Sequence, residues 1–319
     1  MIRRRATLAL PALLLATPAL AQGWPNRPIR IVVPFGVGGS ADVAARFLSE
    51  PLSVALGQSV VIENRPGAGA VIGTDAVTKS APDGHTLLLM SNTHTTNETL
   101  LANRPYVLMR DLVAVAAINI AHHVLVVHPS LHVSTVAELI AAAKARPGTI
   151  DYASSGPGTP YHIAAEVFRA MAGIDITHIP FRGSNEARTA LIAGTVPMMF
   201  DAIPTMREQI TGGRVIALAT TGPTRSPLLP EAPALAETLP GYEANIWLGL
   251  MAPAGTLPAV IARINTEVNR ILGLEATRLA QARMGAQPMP MTPAEFDAYM
   301  RADIVKQAEA IRLANIQVQ

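Results

Sequence analysis

The sequence lacks cysteine and has few aromatic or charged residues. Of its 319 residues, 4% are aromatic and 15% are charged, whereas 50% are hydrophobic. The absence of cysteine excludes a disulfide scaffold, a thiolate zinc site and a thiol nucleophile. The high apolar content excludes disorder over most of the chain, because disordered segments combine low hydrophobicity with high charge. The length suits about two domains.

The basic character of the chain is concentrated at its N-terminus. The formal net charge is +2 and the pI is about 9.1, values that would also suit a nucleic-acid partner. However, Arg3, Arg4 and Arg5 precede an apolar stretch and the small-residue end Ala19-Leu20-Ala21, which is the plan of a secretory signal peptide. We therefore expect residues 1–21 to be a signal peptide, cleaved after Ala21, and the protein to be periplasmic. The remaining 22 basic and 23 acidic residues give a net charge of −1, so no nucleic-acid partner is expected.

Apolar, β-branched runs alternate with helical patterns along the chain. Residues 29–33 predict a buried strand, and the apolar residues of 44–56 recur at helical spacing, with Pro51 predicting a kink or break. Further strands are predicted at 59–62, 86–90, 124–127, 150–153, 175–179, 196–200 and 215–219, and the chain after residue 252 is mostly helical. This alternation predicts an α/β fold with parallel sheets. We expect two lobes with a ligand cleft between them, lobe 1 comprising 24–123 plus 247–319 and lobe 2 comprising 124–246.

Three loops rich in glycine and hydroxyl groups precede predicted helices. They are Pro34-Phe35-Gly36-Val37-Gly38-Gly39-Ser40-Ala41-Asp42, Ser154-Ser155-Gly156-Pro157-Gly158-Thr159-Pro160-Tyr161-His162 and Phe181-Arg182-Gly183-Ser184-Asn185. A helix N-terminus offers unpaired N–H donors and a partial positive charge, and it stabilises carboxylates or phosphates. Three such loops, spread over two lobes, indicate an anion-binding cleft.

The first loop also matches a dinucleotide fingerprint in form. Gly36-x-Gly38-x-x-Ala41 is followed by Glu63 at about the distance of a ribose-binding acid. That pattern would make the protein an exported nucleotide-dependent enzyme. An exported protein is an improbable user of a dissociable nicotinamide cofactor, so no cofactor is expected.

Longer motifs carry a resemblance to a known family. The sequence resembles the Bug family, the extracytoplasmic solute receptors of tripartite tricarboxylate transporters, over essentially the whole mature chain. The matching motifs, in order, are Trp24-Pro25, Ile31-Val32-Val33-Pro34-Phe35, Gly38-Gly39-Ser40-x-Asp42, Glu63-Asn64-Arg65-Pro66-Gly67-Ala68-Gly69, Ala81-Pro82-Asp83-Gly84, Val126-Val127-His128-Pro129, Tyr152-Ala153-Ser154-Ser155-Gly156, Gly158-Thr159-Pro160, Arg182-Gly183-Ser184, Met199-Phe200-Asp201 and Gly249-Leu250-Met251-Ala252-Pro253-Ala254-Gly255-Thr256.

The resemblance implies a type II periplasmic-binding-protein fold that closes on a small organic carboxylate. It implies a receptor without enzymatic activity, expected to be a monomer, which delivers its ligand to the membrane permease subunits of a tripartite transporter. A sensory receptor that presents the ligand to a membrane kinase is the alternative. The ligand-binding residues that it implies are Gly38, Gly39, Ser40, Asp42, Ser91, Thr93, Ser155, Gly158, Thr159, His162, Arg182, Gly183, Ser184 and Asp201.

Several positions depart from the family pattern or leave alternatives open. Ala41 and Tyr161 stand where Thr and Ser are common, and the expected loop from Ser91 to Thr99 is unusually polar, so the ligand need not be one of the family's commonest. Asp201 either contacts a donor on the ligand or caps the next helix, and we favour capping. Arg182 either pairs with a ligand carboxylate or is exposed.

The histidines are expected to have structural roles. His162 is expected to cap or pack against its loop. His122 and His123 are adjacent on a predicted strand, so their side chains point to opposite faces and no metal site is expected there.

Overall fold

The structure, a computed structural model, describes residues 23–316, so the predicted signal peptide lies outside the described residues. These residues form ten strands and eleven α-helices. The strands are β1 Ile29–Val33, β2 Val60–Asn64, β3 Thr86–Ser91, β4 Leu112–Val127, β5 Asp151–Ser154, β6 Thr177–Pro180, β7 Met198–Ala202, β8 Ile216–Thr220, β9 Asn245–Pro253 and β10 Ala286–Pro288. The helices are α1 Ser40–Leu56, α2 Val71–Thr78, α3 Asn92–Leu100, α4 Leu108–Asp111, α5 Val136–Ala145, α6 Pro160–Ala172, α7 Ser184–Ile192, α8 Ile203–Thr211, α9 Pro258–Gly273, α10 Glu275–Arg283 and α11 Pro293–Leu313.

The first lobe is built on the strand order β2-β1-β3-β9-β4. Strands β1, β2 and β3 are parallel, β9 runs antiparallel between β3 and β4, and the short β10 pairs with β4 on its other side. Both faces are covered, since Ile31 and Val33 pack into one apolar cluster with α1 and α9, and Val32 packs into another with Phe296 of α11. This explains why β1 is apolar at four of its five positions, Arg30 being the exception.

The second lobe is built on β4, β7, β5 and β6, with β8 on the other edge of β4. Strands β5, β6 and β7 are parallel, and β4 is antiparallel to β7. One face packs on a cluster that includes Tyr152, Phe168, Phe200 and Tyr242, and the other on Leu191 and its neighbours. The lobe therefore has its own core.

Strand β4 belongs to both lobes. Its residues up to His122 pair with β9, and its residues from His123 onward pair with β7 and β8. The predicted two-lobed α/β architecture is confirmed. Among residues 23–316, no helix combines the length and apolar character that a membrane crossing requires.

Three local features differ from expectation: the helix does not break at Pro51, one predicted loop is a helix, and one strand is shifted. Helix α1 continues through Pro51 to Leu56 without a break, since the apolar residues Leu48, Leu52 and Leu56 on both sides of the proline pack into the same cluster. The polar segment predicted as a loop from Ser91 to Thr99 is instead helix α3, which is buried along most of its length. The predicted strand at 175–179 begins two residues later, as β6.

Candidate functional site

A cavity of about 240 Å³ lies between the lobes, where four helices begin. Helices α1 and α3 reach it from the first lobe, and α6 and α7 reach it from the second. Eight of the residues that the sequence implied as ligand-binding line this cavity together: Gly39, Ser40, Ser91, Thr93, Ser155, Thr159, Gly183 and Ser184.

Three of these helix starts have no side-chain cap, although α6 begins with Pro160, which has no N–H to offer. The N-cap residues of α1, α6 and α7 are Gly39, Thr159 and Gly183, and within residues 23–316 no side chain caps these helices. The first N–H groups of an α-helix have no partner inside the helix. Because α1, α6 and α7 have 17, 13 and 9 residues, each presents a partial positive charge at its start. Their donors converge on one cavity.

No cationic side chain of the described residues lines the cavity, so any attraction for an anion has to come from the helix starts. No lysine or arginine of the described range lines it, and its one charged neighbour is Glu186, which is exposed at the rim. Apolar side chains complete the wall, among them Phe35, Val37 and Ile246. The site therefore suits a small anion with an apolar part.

Asp42 shapes the first loop from behind. Gly38, in a left-handed conformation with φ of +79°, donates its N–H to Asp42 Oδ2 over 2.9 Å. The other oxygen, Oδ1, accepts from Arg46 Nε at 3.0 Å and from Asn64 Nδ2 at 2.9 Å. Burial alone would raise the pKa of Asp42, but the hydrogen bonds from Arg46, Gly38 and Asn64 lower it. Gly38 and Asp42 do not themselves line the cavity. They hold in place the loop whose other residues do.

The start of α3 forms part of the cavity wall. The Ser91 hydroxyl accepts from the Thr93 N–H over 3.2 Å, and the Ser91 N–H donates to His94 Nδ1, so this helix start is capped. Burial lowers the pKa of His94 to about 4, which keeps the ring neutral. The buried Thr93 hydroxyl has no hydrogen-bond partner among residues 23–316, and Thr93 lines the cavity.

His162 supports the second loop. Its Nδ1 accepts from the Gly158 N–H over 3.2 Å, and its ring stacks on His178 with centroids 4.2 Å apart. Burial, assisted by Arg169, lowers the pKa of His162 to about 4. The expected packing of His162 against its loop is confirmed by this contact.

Arg182 and Asp201 lie outside the cavity. Arg182 is exposed and lines a neighbouring cavity of about 730 Å³, which shares Ser155 and Thr159 with the first. Asp201 is fully buried and accepts from Arg188 Nε at 2.9 Å and from the Ala202 N–H at 2.8 Å. The favoured capping role of Asp201 is wrong, because the N-cap of α8 is Ala202.

The adjacent residues His122 and His123 have different surroundings. His122 Nε2 lies 3.9 Å from Glu243 Oε1, whereas the His123 ring is fully buried against Tyr161. Within residues 23–316, no group of three histidine or acidic side chains is placed to hold a metal ion.

Sequence reasoning missed several cavity residues. Tyr161 and Asn185 belong to the predicted loops but were not named as ligand-binding residues, and their place at helix starts was the signal that could have included them. Phe35 follows β1 at the base of the first loop. Ile246 comes from β9, and nothing in the local sequence indicates that β9 reaches the cleft.

Comparisons with known proteins agree with this geometry. Residues 44–316 match the family described as the tripartite tricarboxylate transporter family receptor. The protein BugT of Bordetella pertussis is 39% identical over 301 residues, which cover 93% of this chain and 92% of BugT. Two solved structures are similar over nearly their whole length. R. palustris Rpa4515 with adipate has a TM-score of 0.89 and 33% identity, covering 92% of this chain and 99% of that one.

The second structure is the periplasmic binding protein BugD, with a TM-score of 0.87 and 29% identity, covering 93% of this chain and 100% of that one. The expected periplasmic-binding-protein fold is confirmed by these two neighbours. Together with the match over residues 44–316, they show that the chain belongs to the tripartite tricarboxylate transporter receptor family, and the resemblance to Bug proteins is confirmed.

Proposed function

We propose that this protein binds a small organic carboxylate in the cavity between its lobes and delivers it to a tripartite transporter. Membership of the family makes it a periplasmic solute-binding receptor and not an enzyme. The observation that carries the proposal is the convergence of three helix starts, α1, α6 and α7, on one cavity. The adipate bound to the R. palustris relative supports the same ligand class.

The carboxylate would be held by backbone N–H groups. Each helix start contributes a partial charge of about +0.5, so three starts offset the ligand charge without a guanidinium or ammonium group. This attraction falls off within the first turn of a helix, and it is therefore confined to the cavity. The apolar wall of Phe35, Val37 and Ile246 would cover the hydrocarbon part of the ligand.

The implied binding residues divide into contacts and supports in this proposal. The eight that line the cavity would contact the ligand. Gly38, Asp42, Gly158 and His162 hold the loops in shape. Arg182, in the neighbouring cavity, would meet the far end of a longer ligand.

The wider assignment follows the family. The lobes would comprise residues 24–123 plus 247–319 and residues 124–246, with β4 and the approach to β9 as their connections. Residues 1–21 would be cleaved as a signal peptide after Ala21. The mature protein would act as a monomer and present its ligand to the membrane permease subunits.

The proposal is tested by calorimetric titration with mono- and dicarboxylates and with their uncharged amides. We expect micromolar or tighter binding of at least one carboxylate and none of its amide. If no member of the panel binds, or if acids and amides bind alike, the proposal is wrong.

The role of the helix starts is tested with proline at their first positions. Ser40 and Ser184 are the first residues of α1 and α7, and the extended conformations of Gly39 and Gly183 allow a following proline. Relative to Ser40→Ala, which keeps the N–H, Ser40→Pro should weaken carboxylate binding by about tenfold, as should Ser184→Pro relative to Ser184→Ala. Glu275→Pro, at the exposed start of α10, is the control and should leave affinity unchanged.

A further inference from the structure

The C-terminal helix α11 buries one continuous face. Its buried residues are spaced three or four positions apart and are Phe296, Met300, Asp303, Gln307 and Ile311. Residues at this spacing lie on one side of an α-helix. Phe296 and Met300 pack into the apolar cluster of the first lobe that contains Trp247. The helix is therefore anchored in the first lobe at its start.

The middle of this face is held by α3, which follows β3 of the same lobe directly. Asp303 Oδ2 accepts from Thr95 Oγ1 at 2.5 Å, and Gln307 Oε1 accepts from Thr96 Oγ1 at 3.2 Å. Helix α11 therefore stays attached to the first lobe as far as Gln307.

The last turn of α11 meets the second lobe. Ile311 forms a small buried apolar cluster with Leu100, the last residue of α3, and with Ile163 on α6. Directly after α11, the Ala314 carbonyl oxygen accepts from Arg169 Nη2 on α6 over 2.9 Å. Helix α6 packs into the core of the second lobe, so these contacts join the two lobes.

Leu100 lies at the edge of the cleft, away from the connections between the lobes. Helix α3 begins beside β9, where Asn92 Nδ2 donates to the Asn245 carbonyl oxygen at 2.9 Å. Leu100 comes eight residues later, which is about 12 Å along the helix. It lines the cavity of about 730 Å³ together with Thr159 of the second lobe. A rotation about β4 and β9 that opens the cleft would therefore move Leu100 relative to the second lobe.

The two lobes are in close contact at this edge. A Cβ atom at Gly158, just before α6, would lie 2.8 Å from Leu100 Cδ2, so there is no room for a side chain between them. Opening the cleft would draw Ile163 away from Leu100 and Ile311 and expose apolar surface of all three to water. Because the burial of apolar surface is favourable, the cluster favours the closed arrangement.

We propose that this cluster, together with the bond from Arg169 to Ala314, is a latch that stabilises the closed arrangement of the lobes. Neither Ile163 nor Ile311 lines the cavity at the helix starts, so the latch acts on ligand affinity from outside the binding site. A ligand that requires the closed form binds with an affinity proportional to the closed fraction of the protein. Loosening the latch should therefore weaken carboxylate binding without removing a ligand contact.

Small-angle X-ray scattering of the ligand-free protein tests the latch without any ligand. Ile311→Ala removes part of the cluster from the first lobe, and Ile163→Ala removes part of it from the second. Each variant should increase the radius of gyration, because a larger fraction of the molecules is open. Met300→Ala is the control, since Met300 lies on the same face of α11 but packs within the first lobe. It should lower the melting temperature and leave the radius of gyration unchanged.

Calorimetric titration with adipate and the other mono- and dicarboxylates of the panel gives a second measurement, which rests on the proposed function. A carboxylate that binds the wild type should bind Ile311→Ala and Ile163→Ala about tenfold more weakly, and it should bind Met300→Ala as tightly as the wild type.

The inference is overturned if either latch variant keeps the wild-type radius of gyration, or if Met300→Ala increases it as much. It is also overturned if a carboxylate that binds the wild type binds both latch variants equally well. Failure of every carboxylate to bind would refute the proposed function, and the scattering would still decide this inference.

Discussion

Asn185 on α7 joins the second lobe to the first, since its Nδ2 donates to the Val37 carbonyl oxygen over 3.3 Å. Its Oδ1 accepts from Arg188 Nη1 at 3.0 Å, and Arg188 in turn holds the buried Asp201. A line of polar contacts therefore runs from the interior of one lobe to the glycine loop of the other. It closes one side of the cavity between the lobes, which Asn185 and Val37 both line.

The contact between Asn185 and the first glycine loop leaves little room for a side chain at Gly38. A Cβ atom at Gly38 would lie 3.0 Å from Asn185 Nδ2, and the φ of +79° is unfavourable for any other L-residue. We expect Gly38→Ala to lower the free energy of unfolding by about 1 kcal/mol. It should also weaken carboxylate binding, because the lobes meet less closely. Urea unfolding and calorimetric titration measure the two effects.

Gly273, the last residue of α9, is the control. A Cβ atom there meets nothing within 4 Å among the described residues, its φ is not in the left-handed region, and it does not line the cavity. Gly273→Ala should bind ligand as the wild type does. Equal losses of affinity in the two variants would contradict the importance of the Gly38 contact.

The buried Thr93 hydroxyl should act on ligand binding more than on folding. It lines the cavity without a hydrogen-bond partner in the part of the chain that the structure describes. Thr93→Val should leave the free energy of unfolding of the ligand-free protein unchanged or raise it by up to about 1 kcal/mol. It should weaken carboxylate binding by about tenfold if the ligand is the missing partner.

Thr96, one turn further along α3, should show the opposite pattern. Its hydroxyl donates to the Asn92 carbonyl oxygen at 2.8 Å and to Gln307 Oε1 at 3.2 Å. Thr96→Val should lower the free energy of unfolding by about 1 kcal/mol and leave affinity unchanged. Unchanged affinity in Thr93→Val would show that the ligand does not use that hydroxyl.

The stacked pair of His162 and His178 should make stability depend on pH. Burial lowers the pKa of each to about 4, with Arg169 adding to the effect at His162 and His162 adding to it at His178. The unfolded chain binds these protons near pH 6.5, so it holds more of them than the folded protein between about pH 6.5 and 4. The free energy of unfolding should therefore fall as the pH is lowered through this window and lose this dependence below about pH 4.

His178→Phe tests this dependence, because phenylalanine keeps a ring beside Tyr152 and His162 but cannot bind a proton. Its free energy of unfolding, measured with urea at several pH values, should fall less steeply between pH 6.5 and 4. His132→Asn, at an exposed left-handed position, is the control and should keep the wild-type slope. A slope unchanged by His178→Phe would refute the assignment.

Eight of the ten strands could be predicted at least in part because they contain short, mainly apolar runs, whereas β9, β10 and residues 112–123 of β4 were not predicted. Strand β1 matches its prediction residue for residue. Helix α3 could not be predicted, because it lacks an apolar stripe. It is buried through polar contacts from α11, where Asp303 accepts from Thr95 Oγ1 at 2.5 Å and Gln307 accepts from Thr96. Those partners lie more than 200 residues away in sequence.

Part of the cavity could be predicted, because some of its residues follow a local sequence pattern. Glycine and hydroxyl residues before a helix are local signals, and they located the starts of α1, α6 and α7. The hydrogen-bond partners of Asp42 and Asp201 could not be predicted in this way, because they lie on other elements of the fold. Asp42 is held by Asn64 and Asp201 by Arg188, and a single sequence does not show such pairings between elements.

The position of β9 has a consequence for the order in which the chain can fold. This strand fills the gap between β3 and β4 in the first lobe, yet it is made of residues 245–253. The strands of the second lobe all lie between residues 112 and 220. During synthesis, the second lobe can therefore complete its sheet while the first lobe still exposes unpaired edges on β3 and β4. Such edges readily pair with other chains, so the first half of this protein remains vulnerable to aggregation until its last third has arrived.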